Sequence, residues 1–239
     1  SPYSIPAPEY CPKEEPECSR PDLLGFQWAA YAALTYCGLY GFWVWHISRR
    51  VHTALPSTPY GRIFGYLPEA EYLAACNFTF QLWDFFISFT IAEHRTALML
   101  THHLLAASVS MCGLGFQYLH YFAVFYLGLS EFSSIFLVFV DLAKFFPPVP
   151  GTFYDKVVGV CGPCFVLTFF IYRVVIWWKV ELLLFQDCQH VLKERMPQRL
   201  RPGKVWVIYF FCGSALFLGL LQIYWFYLVV LKVIDTLQS

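Results

Sequence analysis

The sequence predicts an all-α membrane protein with about six transmembrane helices. Of its 239 residues, 58% are hydrophobic and only 13% are charged. An ordinary soluble domain is about 45–50% apolar and about 25% charged. The apolar residues are gathered into six long runs, each near the ~20 residues that a helix needs to cross the hydrocarbon core. Lipid offers peptide groups no partners, so such runs must pair their backbone internally as helices.

The runs, in order, are Leu24–Ile47, Tyr72–Ala92, Ala97–Phe116, Tyr121–Leu142, Val157–Trp178 and Val205–Leu231. Trp45, Tyr72, Tyr121, Trp177, Trp178 and Trp206 stand near their ends, as interfacial aromatic residues do. Two connections are long. Ser48–Glu71 holds Pro56, Pro59, Gly61 and Pro68; Lys179–Lys204 is partly amphipathic and strongly basic. If the N-terminus is outside, the inner connections carry Arg49, Arg50, Arg62, Lys179, Lys193, Arg195, Arg199, Arg201 and Lys204. That excess favours both termini outside. The expected organisation is an extramembrane tail, residues 1–22, followed by one membrane domain, residues 23–239. The tail is rich in Pro and Glu and has too little apolar surface to fold alone. Its Cys11 and Cys18 form a disulfide if they face an oxidising lumen, and are otherwise free thiols. The first residue is Ser1 rather than Met, which favours a processed chain and an organellar inner membrane or the endoplasmic reticulum.

A formal net charge of +0 gives no electrostatic case for nucleic acid. No glycine-rich phosphate loop, zinc-finger spacing or nucleophile elbow occurs. The informative residues are polar groups inside the apolar runs, because ionisable groups at membrane depth face a bundle interior or a wet cavity. Asn77, Gln81, Asp84 and Ser88 recur at steps of four, three and four, on one helical face. His102 and His103 are adjacent in the third run, and His103 shares a face with Ser110. Ser130, Glu131, Ser133 and Ser134 form a compact patch after Gly128. Cys161, Cys164, Thr168 and Tyr172 share a face beside Arg173, and Gln222 is the deepest polar group of the sixth run. Adjacent residues on a helix point about 100° apart, so the two histidines do not face one small ligand equally. They serve either as hydrogen-bonding glue between helices or as site residues. Arg173 is expected to pair with Glu131 or Asp84. No metal and no cofactor is expected, and Cys161 with Cys164 lacks the second pair that a metal site needs.

Four pieces of the chain, taken together, resemble the TLC family (TRAM, LAG and CLN-type membrane proteins). They are Leu82-Trp83-Asp84-Phe85, Ala97-Leu98-Met99-Leu100-Thr101-His102-His103, Leu129-Ser130-Glu131-Phe132-Ser133-Ser134 and Phe169-Phe170-Ile171-Tyr172-Arg173. The resemblance implies a barrel-like bundle of six helices, open to lipid, with a central cavity suited to an acyl chain. Ceramide synthases of this family carry a His-His pair followed by a His-Asp and a further Asp. His102 and His103 match the pair. Ser130 stands where the next His would be, Glu131 where the first Asp would be and Ser134 where the second would be. The resemblance therefore implies the branch without ceramide synthase activity. The expected polar lining of the cavity is Asp84, His102, His103, Ser130, Glu131, Ser134 and Arg173. Membrane lipids are the expected partners. Two alternatives stand beside this one. In the first, the chain is an accessory subunit of a large organellar membrane complex. Its aromatic outer faces (Phe85, Phe86, Phe89; Phe122, Phe125; Phe165, Phe169, Phe170) then meet other membrane-protein subunits. In the second, the chain is an acyltransferase using the His102/His103 pair, with His103 as general base and Glu131 orienting it.

Overall fold

A computed structural model describes residues 21–91 and 93–238; Cys11 and Cys18 lie outside the described residues. All regular structure among them is helical. Helix α1 (Pro21–Phe42) continues as a π-helical turn, Trp43–Ile47. It opens on Pro21 with Asp22 in the first turn, a favourable start. Its buried side chains Leu23, Phe26, Gln27, Ala30, Cys37 and Val44 fall at helical spacing and mark the face turned to the bundle.

The first long connection folds as two short helices, α2 (Arg50–Thr53) and α3 (Pro59–Phe64). Thr58 caps α3 by accepting from Gly61 N at 3.1 Å, and Arg50 pairs with Glu69. Helix α4 (Pro68–Ile87) starts four residues before the apolar run, because Pro68 supplies its first turn and Glu69 and Glu71 favour its N-terminus. It stops at Ile87, short of the expected Ala92. Helix α5 (Ala97–Phe116) has the expected bounds: Thr96 caps its start and Gln117 adopts a left-handed conformation (φ 51°) at its end.

The fourth run is not one continuous helix. It divides into α6 (His120–Tyr126), a 3₁₀ turn (Leu129–Ser133) and α7 (Ser134–Phe145). The break lies where α1 crosses it. A Cβ on Gly41 would lie 2.4 Å from Gly128 C, and one on Gly128 would lie 2.9 Å from Gly41 Cα. Two glycines thus allow a backbone-to-backbone crossing, and the chain after Gly128 turns to keep it.

The fifth run extends well past Trp178. Helix α8 (Phe153–Phe169) passes through a π-helical segment, Phe170–Ile176, into α9 (Trp177–Lys193). This 41-residue rod is about 60 Å long at 1.5 Å per residue, longer than the ~40–45 Å of a whole bilayer. Its end is amphipathic for that reason: Val180, Leu184, Asp187, Cys188 and Val191 are buried while Gln186, Gln189 and His190 are exposed. That buried face packs on α3. Arg62 of α3 donates to Asp187 through Nε at 2.5 Å and Nη2 at 2.7 Å, and the carboxylate raises the Arg62 pKa. Asp187→Leu is expected to destabilise the protein by about 2–3 kcal/mol by stranding a half-buried guanidinium. Thermal melting in detergent beside the paired Arg62→Met/Asp187→Leu variant checks this. The paired variant should recover most of the loss. A short helix, α10 (Met196–Leu200), precedes the uninterrupted α11 (Val205–Gln238).

Among the described residues, four stretches are long and apolar enough to cross a membrane: Ala97–Phe116, His120–Phe145, Phe153–Lys193 and Val205–Asp235. Helices α1 and α4, at the other two expected positions, are not among these four stretches. Glycine and tyrosine dilute α1, and the polar stripe dilutes α4. The aromatic surface also differs from expectation. Phe86, Phe89 and Phe170 are exposed, but Phe122, Phe125, Phe165 and Phe169 are buried, because these four lie on the faces their helices turn to the core.

Candidate functional site

The polar stripe of α4 continues the apolar stripe Ala70, Leu73 and Ala74 along one line. Asn77, Gln81, Asp84 and Ser88 are therefore all buried. Helix α5 presents matching groups to it. Ser110 donates to Asn77 Oδ1 at 3.0 Å, and His103 Nδ1 lies 2.7 Å from Gln81 Oε1. His103 Nε2 is 3.4 Å from Asp84 Oδ1, which accepts from Ser88 Oγ at 2.9 Å. Nε2 makes no hydrogen bond across that 3.4 Å. His103 thus joins two helices, whereas His102 points about a third of a turn away. The His102 ring meets Trp225 edge-on at 5.1 Å, and its Nδ1 has no partner among the described residues.

A second cluster is organised by Arg173, which the π-helical segment carries. An inserted residue in a helix re-aims side chains, and such bulges gather at functional sites. Arg173 is 7% exposed and spends all three nitrogens. Nη2 donates to Glu131 Oε2 at 2.5 Å and Ser134 Oγ at 2.8 Å. Nε donates to Ser130 O at 2.9 Å and Ser133 Oγ at 3.0 Å, and Nη1 donates to Gln222 Oε1 at 3.3 Å. Ser134 Oγ in turn donates to Glu131 Oε2 at 2.7 Å. Of the two carboxylates expected for Arg173, Glu131 is the partner. The hydrogen bond that orients His103 goes to Gln81, not to Glu131.

Both clusters open onto one cavity of about 1180 Å³ between α1, α4, α5, α7, α8 and α11. Asp84, His102, His103, Glu131, Ser134 and Arg173 stand in its wall. Ser130 does not; it lines a smaller inner cavity of about 50 Å³, which shares Gln81, His102, Glu131 and Arg173 with the large one. The rest of the large cavity is mostly apolar, with Phe26, Phe80, Phe165, Phe169 and Phe226 among its walls. Lys144 in the last turn of α7, Lys232 near the end of α11 and His94 line the same space. His94 packs on Phe26 at 4.5 Å, and burial lowers its pKa. Leu167 of α8 and Leu228 of α11 line the cavity and are also 60% and 42% exposed, so the space reaches the outer surface between these two helices.

The model of the TLC domain matches residues 25–231. The chain belongs to the TLC family. It is an integral multi-pass membrane protein, of a family concerned with lipid. No curated protein and no solved structure matches it. Within this TLC domain, sequence reasoning did not single out Gln27, His94 or Trp225 as site residues. Gln27 is 3% exposed and lines the cavity from α1; a lone glutamine among aromatic residues gives little signal. Tyr126 and Glu181 were also missed. Tyr126 Oη donates to Glu181 Oε2 at 2.8 Å, and Glu181 lies in a stretch that reads as a connection. Cys161 is buried beside half-buried Cys164, both as free thiols, and no metal-binding group of three side chains occurs among the described residues.

Proposed function

We propose that this TLC domain holds a membrane lipid, acyl chain inward, without ceramide synthase activity. In this reading α1 and α4 complete a six-helix barrel with both termini on the outer side. The observation that carries it is the mostly apolar cavity with a few convergent polar groups, the usual form of a small-molecule site. Its volume exceeds the ~300–1,000 Å³ of typical ligand pockets, which suits a lipid. The opening between α8 and α11 gives the ligand a path from the bilayer. Asp84, His102, His103 and the Glu131–Arg173 pair then form the polar end. Ala30 of α1 lines the cavity and is buried, so Ala30→Trp places an indole in the path of the ligand. Lipid extracted from the purified wild type is expected to amount to about one molecule per chain, and the variant should lose most of it while melting within a few degrees of the wild type. Equal, trace lipid in both proteins would remove the proposal.

Acyl transfer is the competing chemistry. Glu131 is held by Arg173, so the candidate general bases are His102 Nδ1 and His103 Nε2, which have no hydrogen-bond partner among the described residues. Purified protein given acyl-CoA and long-chain amine acceptors is expected to show no turnover. Turnover abolished by His102→Ala would establish the enzymatic reading instead.

A role as a structural subunit draws on one further observation. Tyr36, Tyr40 and Trp43 stack in sequence along the outer face of α1, with ring centroids 5.6 Å and 5.9 Å apart. Rigid aromatic ladders of this kind are favoured at protein interfaces. Migration as a large assembly in a mild-detergent native gel supports that role, and a monomer opposes it.

A further inference from the structure

We infer that the turn joining α9 to α11 binds anionic phospholipid headgroups of the bilayer around the protein. Lys193, Arg195, Arg199, Arg201 and Lys204 fall within this short stretch, with Glu194 as its one acidic residue. The first four are exposed and make no ion pair among the described residues. Lys204 lies over the Phe116 ring at 4.1 Å.

The turn has a fixed place. It joins two helices that each hold a stretch able to cross the membrane, and the second such stretch opens at Val205, directly after the turn, so the turn lies beside a bilayer surface. Trp206 and Tyr209, 51% and 62% exposed on the first turns of α11, mark the interfacial level beside it. Pro197 is buried and anchors α10 to the body, so the basic side chains radiate from a held turn. Arg195 precedes α10 in a left-handed conformation (φ 53°) and Arg199 lies within that five-residue helix, so a bound phosphate relieves the crowding of like charge in this short stretch. The other end of the molecule is different: Lys144 and Lys232 are each paired, with Asp141 at 2.5 Å and Asp235 at 3.1 Å. Clusters of basic residues next to a membrane span attract anionic lipid, on the order of fivefold in affinity for each charge near the surface. This inference does not depend on what fills the cavity.

The test uses the full chain in phosphatidylcholine vesicles, with trace spin-labelled phosphatidylserine or phosphatidylcholine read by electron paramagnetic resonance. The immobilised fraction is expected to favour phosphatidylserine by on the order of fivefold at low salt. That preference should fall towards parity at high salt and in Arg195→Gln/Arg199→Gln/Arg201→Gln. The matching triple Lys variant, which keeps the charge, should retain it, and all three proteins should melt together. Equal immobilisation of both lipids by the wild type overturns the inference; it is the result expected if the turn meets an acidic protein or only fixes topology. An undiminished preference in the triple Gln variant overturns it equally.

Discussion

Arg173→Met is expected to destabilise the protein by about 3–5 kcal/mol, the usual loss when one partner of a buried ion pair is removed. Glu131 would then sit in the wall of an apolar cavity with Ser134 as its remaining donor. Ser133, the Ser130 carbonyl and Gln222 would lose theirs as well. For a domain of this size the expected fall in melting temperature is on the order of 10 °C. Arg173→Met/Glu131→Gln should recover much of it, since a neutral amide needs no counter-ion. Thermal melts of the two single variants and the double variant in one detergent complete the cycle. Additive losses would show that the pair is not coupled.

Gly41→Val is the second large effect. A Cβ there would lie 2.4 Å from Gly128 C and Leu129 N, backbone atoms that cannot rotate aside. The expected loss is about 3 kcal/mol, and α1 must move off the Leu129–Ser133 turn. That turn carries Ser130, Glu131 and Ser133, so the variant should lose bound lipid as well as stability. Gly25→Ala on the same helix is the contrast. Its Cβ would meet nothing within 4 Å, and the change should stabilise by about 0.4–1 kcal/mol. Melting temperature and lipid content of the two variants separate crowding at the crossing from a general intolerance of α1 to substitution.

The helical class and the positions of the long elements were legible because hydropathy varies on the scale of a whole helix. The buried face of α4 was legible because Asn77, Gln81, Asp84 and Ser88 repeat at helical spacing. Continuity was not legible. The break at Gly128 arises from its contact with Gly41, distant in sequence, and the π-helical segment that aims Arg173 has no local signature. Helix α9 was read as a connection because its exposed face is polar; only packing on α3 shows why Asp187 is buried. The sequence does not separate Phe122 and Phe125 from outward-facing residues, because an apolar residue facing lipid and one facing the core look alike in it. The partner of Arg173 was narrowed to two carboxylates, and three-dimensional packing selects Glu131.

The central claim is that Asp84, His102, His103 and the Glu131–Arg173 pair form the polar end of a lipid-filled space. A density map of the native particle tests it most directly. The account predicts elongated density running from Trp225 and His102 towards Lys144 and Lys232, unconnected to any side chain. Helices closed on one another with no such density, or these five side chains directed outward into the bilayer, would contradict it.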